Sequence, residues 1–203
     1  MVPDKPILYY EIHRVKEENK AWMVFVHGAG GSIRTWKKQV AFFKGKFNLL
    51  LIDLRDHGKS KNLGAAENFG FGLVASDVLD VMDSLKIDEA HFVGVSMGSI
   101  VIRHIEILEP KRVSSVVLAG GIFKMSHKIK LLAFCARTLS SLLPFQTLYR
   151  LFALVLLPRK NHMASRRVFM REAQKLRDHE AKRWLTLIKR LNRVLRELYS
   201  QKM

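Results

Sequence analysis

The amino-acid sequence predicts an α/β fold, in which a doubly wound, mostly parallel sheet is followed by an all-helical region. Three observations support this prediction. Short apolar runs alternate with amphipathic stretches over residues 1–123, the last three of these runs are nearly continuous, and no strand-like pattern occurs after residue 124. Continuous apolar runs are typical of parallel strands that are covered on both faces.

Five segments have the length and composition of strands. The linker between the first two, residues 14–21 with the sequence RVKEENKA, is polar and short enough for a hairpin. The last three segments are expected to be buried parallel strands. The five predicted strands are residues 7–13, 22–28, 48–53, 90–95 and 113–119.

Amphipathic patterns between these strands predict helices, because apolar residues recur there at spacings of three and four. One helix is expected to run from about Met97 to Leu108 and to end before Pro110, since proline disfavours helix in the residue before it. The other two patterns are formed by Trp36, Val40 and Phe43, and by Val74, Val78, Met82 and Leu85.

The chain changes in charge where the strand pattern ends. Residues 124–203 contain 19 Lys and Arg against 4 Asp and Glu, whereas residues 1–123 contain 16 against 14. We therefore predict two regions, an α/β core over residues 1–123 and a basic helical region over residues 124–203. Helices of the second region are predicted over residues 129–143, 147–157, 165–177 and 184–198.

The positive charge of the second region has two interpretations. It can mark a surface for an anionic partner, such as nucleic acid, a membrane surface or an acidic protein. The simpler interpretation is a solvated helical surface whose neutralising neighbour lies outside this sequence. We favour the simpler interpretation and keep the anionic partner as an alternative.

A serine flanked by glycines follows the fourth predicted strand, in the segment GVSMGS. A nucleophilic serine on a strand-to-helix turn needs a strained backbone, and side chains two residues before and after it would collide. Gly94 and Gly98 meet this need for Ser96. The following helix directs free N–H groups at the reacting centre, so the Met97 N–H is a candidate oxyanion donor. An ordinary glycine-rich turn is the alternative, which the flanking strand and helix disfavour.

The segment VHGAGGS ends the second predicted strand. Gly28, Gly30 and Gly31 let the backbone approach a substrate oxygen closely, and the Ala29 N–H would complete a two-donor oxyanion hole with Met97. A phosphate-binding loop is the alternative, but the segment lacks the GxGxxG spacing and a Walker lysine. We therefore predict no cofactor and no metal site.

A charged loop, DLRDHGKS at residues 53–60, follows the third predicted strand. Asp53, Arg55 and Asp56 are candidates for a catalytic carboxylate and a substrate clamp. We favour a structural role, in which these charges pair with one another and hold the loop.

The ordered set HGAGGS, DLRDHGKS and GVSMGS strongly resembles the α/β-hydrolase superfamily, in its branch of small esterase-like and acyl-hydrolase-like enzymes. The resemblance covers residues 7–123 and implies that the helices after Phe123 are the family's lid. It implies hydrolysis of a small carboxylic ester, thioester or amide through an acyl-enzyme on Ser96. It also implies that His27 and Gly28 support the oxyanion hole.

The partners that a nucleophilic serine needs are not found in the sequence. Serine requires a base and the base an orienting acid, and the family's chain order places both after Ser96, on strands beyond the lid. No strand followed by Asp, or later by His, occurs after Leu118, so a truncated form is one interpretation. Among the histidines, His57 is expected near the site, and His127 and His162 in the lid would overhang it. Each is more simply a surface or packing residue.

The fifth predicted strand would be a long, apolar and unprotected sheet edge, which favours a homodimer through that edge. The single cysteine fits a reducing compartment, and the start of the chain has no apolar segment typical of a signal peptide. The longest apolar stretch, residues 148–158, contains Arg150 and is too short to span a bilayer. We therefore predict a cytoplasmic protein without a transmembrane segment.

Two functional hypotheses remain. The first is a serine hydrolase that acts on a small acyl substrate through Ser96. The second is a catalytically inactive fold whose basic lid binds an anionic partner, and salt-sensitive binding would identify it.

Overall fold

The chain forms two compact units, Met1–Gly121 and Ile122–Met203. The helix predicted over residues 129–143 lies outside the described residues except for residue 138, and so does His127. The structure is a computed structural model that describes residues 8–17, 19–61, 63, 66, 68–124, 138 and 145–200.

The first unit is built on one sheet, which confirms the predicted α/β fold with a mostly parallel sheet. Its strands are β1 (Tyr10–His13), β2 (Trp22–Val26), β3 (Asn48–Ile52), β4 (Ala90–Val95) and β5 (Val113–Ala119). Within the described residues these five strands lie in the order β1-β3-β2-β4-β5. The pairing of β1 with β3 is antiparallel, and the other three pairings are parallel.

The predicted hairpin between the first two strands is wrong. Strand β1 pairs with β3, with Tyr10 opposite Ile52, because β3 and β4 occupy the two edges of β2. The side chain of Asn48 holds the intervening linker at the start of β3. Its Oδ1 accepts the N–H of Val15 at 2.9 Å, and its Nδ2 donates to the carbonyl of Lys20 at 2.7 Å.

Helices connect the parallel strands. A short 3-10 helix (Ile33–Trp36) leads into α1 (Lys37–Phe43), and α2 (Phe71–Ser84) and α3 (Met97–Leu108) follow. The bounds of α3 confirm the helix predicted there. Its C-cap is Glu109, directly before Pro110, as expected from the backbone restriction that proline imposes.

The side chains of β2 alternate between two buried layers. Phe25 is fully buried and contacts Trp36 and Phe43, with ring centroids 5.1 and 6.4 Å away. Val24 and Val26 point to the opposite face, are also fully buried, and lie on the side where α3 packs against the sheet. Burial of this kind removes apolar surface from water and contributes about 1.5–3 kcal/mol for each large side chain.

Strand β5 differs from the other parallel strands in its exposure. Val116 and Val117 are 39% and 58% exposed, so the expectation that helices cover both faces of this strand is wrong. Strand β5 pairs with β4, and within the described part of the chain no strand pairs with its other edge. Dimer formation through this edge remains a prediction.

A buried ion pair joins the charged loop to α2. The Arg55 guanidinium donates from Nε and Nη2 to the two carboxylate oxygens of Asp77, both at 2.7 Å, and both side chains are 6% exposed. These hydrogen bonds raise the pKa of Arg55 further above its ordinary value. A two-point contact of this geometry fixes the loop against the helix.

Helix α3 lies against β2 with no side chain between them at one point. A Cβ placed on Gly98 would overlap the carbonyl oxygen of Val26 and lie 3.0 Å from that of His27. Both neighbours are backbone atoms, which cannot rotate away as a side chain would. Glycine at this position therefore sets the distance between the helix and the strand.

In the described residues of the second unit, the regular secondary structure is all helical. Helix α4 (Phe145–Leu156) is followed by a 3-10 helix (Lys160–His162), then α5 (Met163–Ala173) and α6 (Asp178–Ser200). The apolar stripe predicted over residues 184–198 is buried along one side of α6. Its buried members are Trp184, Leu187, Leu191, Leu195 and Leu198. None of the described helices is long and apolar enough to cross a membrane.

The start of α6 is held by a buried carboxylate. Glu180 is fully buried and its Oε2 accepts the backbone N–H of Arg177 at 2.9 Å. The Arg177 guanidinium donates back to Oε1 at 3.0 Å. A carboxylate in the first turn also interacts favourably with the helix dipole, so Glu180 stabilises this helix end in two ways.

Removing the Asp77 carboxylate should destabilise the first unit, because it leaves the Arg55 charge buried and unpaired. We expect Asp77→Ala to lower the free energy of unfolding by about 3–5 kcal/mol in urea titrations. Asp83→Ala is the matched control, since Asp83 lies on the same helix and pairs with Arg112 but is 61% exposed. Its expected cost is about 1 kcal/mol or less. Equal costs for the two variants would contradict this account.

Adding a single methyl group at Gly98 should force α3 away from β2. We expect Gly98→Ala to cost about 2 kcal/mol or more, as overpacking against backbone does. Gly72→Ala serves as the control, because a Cβ there meets nothing within 4 Å and alanine favours helix. A Gly98→Ala protein that unfolds at the wild-type urea concentration would show that the contact with Val26 is not tight.

Candidate active site

Three loops converge at one edge of the sheet. The glycine loop (residues 27–31) follows β2, the charged loop follows β3, and Ser96 follows β4. Strand β2 runs parallel to both β3 and β4, so the carboxyl ends of all three strands lie side by side. Ligands of open α/β sheets bind at this edge, which makes it the candidate active site.

Ser96 has a left-handed backbone, with φ 52° and ψ −115°. Such a conformation is strained for a residue other than glycine and persists only where neighbours hold it. The Ser96 N–H donates to the Ala119 carbonyl at the end of β5, at 3.0 Å. The Ser96 carbonyl accepts from the N–H and the hydroxyl of Ser99 at 2.9 and 2.6 Å. The side chain itself is partly exposed.

The steric need for glycine on both sides of this turn is confirmed. A Cβ on Gly94 would lie 2.5 Å from Cδ1 of Ile102 and 3.1 Å from the backbone of Gly98. The two glycines therefore pack against each other beneath Ser96. A larger residue at position 94 would press against α3, and one at position 98 would push α3 away from β2.

The glycine loop passes directly beside the serine. A Cβ on Gly28 would lie 3.3 Å from Cβ of Ser96 and 3.1 Å from the Val95 carbonyl oxygen. The Gly31 N–H donates to the Gly28 carbonyl at 3.0 Å and closes a turn around Ala29. Met97 is the first residue of α3, and the first N–H groups of a helix have no partner within the helix.

Two buried histidines tie the glycine loop to the charged loop. His27 accepts the Leu54 N–H on Nε2 at 3.0 Å, and its Nδ1 lies 2.8 Å from the Gly28 carbonyl oxygen. His57 accepts the Gly30 N–H on Nε2 at 2.9 Å, and its Nδ1 lies 2.9 Å from the Arg55 carbonyl oxygen. Each loop therefore supplies one imidazole that accepts a backbone N–H of the other.

Asp53 joins its own loop to the 3-10 helix that begins at Ile33. Its carboxylate accepts the Ile33 N–H on Oδ1 and the Lys59 N–H on Oδ2, both at 2.8 Å. Burial raises the pKa of Asp53 above its ordinary value, while these two donors act in the opposite direction. The expected pairing of Arg55 with Asp53 is wrong, whereas the nearby charge of Asp56 does act on Arg55 and contributes to raising its pKa. Arg55 pairs with Asp77, because the loop lies against α2.

Three other described histidines, His91, His104 and His162, make local contacts. Nδ1 of His104 lies 2.8 Å from the Ile100 carbonyl oxygen, and burial lowers the pKa of this imidazole. His91 contacts the Ser115 hydroxyl, and Nδ1 of His162 accepts the N–H of Arg159 at 3.4 Å. Among the described residues of the first unit, neither a histidine nor a carboxylate is hydrogen-bonded to Oγ of Ser96.

Sequence patterns missed two of these contacts. The hydrogen bond from Gly30 to His57 spans 27 residues, and the Arg55–Asp77 pair spans 22. The available signal was the presence of His57 in a loop that follows the neighbouring parallel strand. It indicated proximity to the site but not the hydrogen-bond partner.

Comparisons with known proteins agree with this geometry. A family model described as alpha/beta hydrolase fold matches residues 21–177. The chain is 33% identical over 108 residues to 3-oxoadipate enol-lactonase 1 of Acinetobacter baylyi, which is 53% of this chain and 40% of that protein. The chain spans about two fifths of the length of the curated relatives it matches first.

Solved structures share the fold. The enol-lactonase of Burkholderia xenovorans superposes with a TM-score of 0.65 at 25% identity, covering 89% of this chain and 68% of that one. An esterase from Exiguobacterium antarcticum has a TM-score of 0.72 at 16% identity, covering 90% and 69%. The family model spans more than half of the residues, and the strand order and the turn at Ser96 agree with it. The chain belongs to the α/β-hydrolase family.

Proposed function

We propose that this chain carries the nucleophile and oxyanion hole of a serine hydrolase that acts on a small carboxylic ester, thioester or amide. The observation that supports this most strongly is the left-handed backbone of Ser96 at a strand-to-helix turn, with the glycine loop against it. A relative and a solved structure are named enol-lactonases, so a lactone, which is a cyclic ester, is the first substrate class to test.

The proposed reaction begins with attack of the Ser96 Oγ on the substrate carbonyl carbon. A general base takes the hydroxyl proton, and the carbonyl oxygen becomes the oxyanion of a tetrahedral intermediate. The N–H groups of Ala29 and Met97 stabilise that oxyanion. The alcohol, thiol or amine then departs with a proton, and water releases the acyl group from Ser96. His27 and Gly28 hold the loop that carries the first donor.

The general base is not assigned to a residue of this chain. In the family order, an acid and then a histidine follow the nucleophile. Ring nitrogens of His27, His57 and His104 contact backbone groups rather than Oγ of Ser96. Residues of a longer chain or of a second polypeptide would supply the base if no residue of this chain does.

A fluorophosphonate probe tests the nucleophile directly. An activated Ser96 displaces fluoride from phosphorus, forming a serine–phosphorus ester while the base receives the hydroxyl proton. We expect the wild-type protein to be labelled and Ser96→Ala to be unlabelled, as read by intact-protein mass spectrometry. Ser114→Ala is the matched control, because Ser114 is exposed on β5, and it should be labelled like the wild type. An unlabelled wild-type protein, shown to be folded by circular dichroism, would overturn the proposed function for this chain acting on its own, because Ser96 would then lack a base.

A second candidate function is binding of an anionic partner by the basic unit, with the fold itself inactive. Residues 145–200 contain 14 Lys and Arg against 4 Asp and Glu. Three of the four carboxylates already pair locally, Glu172 with Lys175, Glu180 with Arg177 and Glu197 with Arg193. The positive charge of this unit is therefore not neutralised by its own acidic residues.

Salt dependence distinguishes this candidate. If the basic unit binds nucleic acid, the logarithm of the binding constant for a 20-base-pair duplex should fall linearly with the logarithm of salt concentration. Replacing the exposed Arg190 and Arg196 of α6 by glutamine should reduce the slope by about 1 for each phosphate that is no longer neutralised. Lys37→Gln, on exposed α1, is the control and should leave the slope unchanged. Absence of binding at low salt would exclude nucleic acid as the partner.

A further inference from the structure

We propose that His57 is a positioning residue for the oxyanion hole, because its imidazole fixes the glycine loop through the Gly30 N–H. This inference rests on the proposed function in assigning the loop a catalytic purpose. The anchoring itself rests on the contacts of the imidazole. The ring nitrogens of His57 bond backbone groups and not Ser96, so its effect on the reaction is exerted through the backbone of residues 28–31.

The hydrogen-bond partners of His57 determine its tautomer. Nδ1 faces the Arg55 carbonyl oxygen at 2.9 Å, and a carbonyl only accepts, so Nδ1 carries the proton. Nε2 is then unprotonated and accepts the Gly30 N–H at 2.9 Å. His57 is 2% exposed and Gly30 is buried, so water does not compete freely for this contact. A buried N–H that loses its acceptor costs about 1–3 kcal/mol.

Gly30, whose N–H is held by His57, directly follows the proposed oxyanion donor in the glycine loop. Gly30 has a φ of 66°, in the left-handed region, and it follows Ala29, the proposed oxyanion donor. The Gly31 N–H closes the turn onto the Gly28 carbonyl. Holding the Gly30 N–H therefore fixes the peptide plane between Ala29 and Gly30 and so restrains the orientation of Ala29.

The anchor is itself rigid, because it is connected to α2. The imidazole of His57 bonds the carbonyl of Arg55, and the guanidinium of Arg55 is held by two bonds to the buried carboxylate of Asp77. A continuous series of contacts thus leads from α2 through Arg55 and His57 to Gly30. Oxyanion donors need such preorganisation, since removing one typically costs about 100- to 1000-fold in rate.

Two substitutions distinguish the role of Nε2, which accepts the Gly30 N–H, from the role of the rest of the His57 side chain. In His57→Gln, the terminal amide oxygen lies at about the distance of Nε2 and can still accept the Gly30 N–H. In His57→Asn, the shorter amide reaches only the position of Nδ1, so it keeps the Arg55 carbonyl contact and loses Gly30. His104→Asn is the matched control, because it removes a largely buried imidazole whose Nδ1 faces a backbone carbonyl within α3.

Hydrogen exchange of peptides covering residues 28–31 measures the anchoring without any catalysis. Each variant is measured at a urea concentration that lies equally far below its own unfolding midpoint. Under these conditions we expect His57→Asn to increase the exchange rate of this segment by about 10-fold, a free-energy change of about 1.4 kcal/mol. His57→Gln and His104→Asn should remain close to the wild type. Unchanged exchange in His57→Asn would overturn the proposal, and so would equal increases in the asparagine and glutamine variants.

The rate of fluorophosphonate labelling measures the catalytic consequence. We expect His57→Asn to slow labelling of Ser96 by about 10- to 100-fold, as misplacement of a catalytic group does, and His57→Gln to restore most of the rate. If the wild type is not labelled, the proposed function fails while the exchange measurement still decides whether His57 anchors the loop. Normal labelling in His57→Asn, with faster exchange, would overturn its positioning role.

Discussion

The close approach of α3 to β2, with only glycine at the contact, is the constraint on which the rest of the first unit depends. Gly98 lies against the carbonyls of Val26 and His27, and only Ser96 separates the end of β4 from the start of α3, so the chain turns sharply over the sheet. The sharp turn places Ser96 in its left-handed conformation. Hydrogen bonds to Ala119 of β5 and to Ser99 of α3 support this conformation, and the first of them is available because the sheet continues beyond β4.

Much of this arrangement could be predicted from the sequence because its causes are local. The need for Gly94 and Gly98 follows from the sterics of one turn, and the bounds of α3 follow from the serine before it and Pro110 after it. The positions of the three loops follow from the general rule for parallel strands. The pairing partners could not be predicted in the same way. Arg55 has nearby carboxylates in its own loop, yet it binds Asp77 because α2 passes over that loop. The predicted hairpin between the first two strands was wrong because a short linker allows two strands to pair but does not require it.

The two units differ in how their charged side chains are paired. In the first, buried charges are matched by specific partners, such as Arg55 with Asp77 and the Asp53 carboxylate with two backbone N–H groups. In the second, two of the few carboxylates are buried to hold helix ends and turns, and the cations greatly outnumber them. The buried apolar stripe of α6 contributes to the stability of this unit, while Arg190 and Arg196 on the same helix are exposed. A hydrolytic site and an anion-binding surface would accordingly reside in different units of the same chain.

The reciprocal hydrogen bonds between histidines and backbone N–H groups of the glycine loop and the charged loop affect how this sequence can change over evolutionary time. Each loop depends on an imidazole that belongs to the other, and donor and acceptor are 27 positions apart along the chain in both cases. A mutation at His57 alters the support of a segment that has not mutated, and a mutation at His27 does the same in the opposite direction. We therefore expect substitutions at the two positions to be coupled. Sequences that keep both loops in this arrangement are expected to keep both histidines.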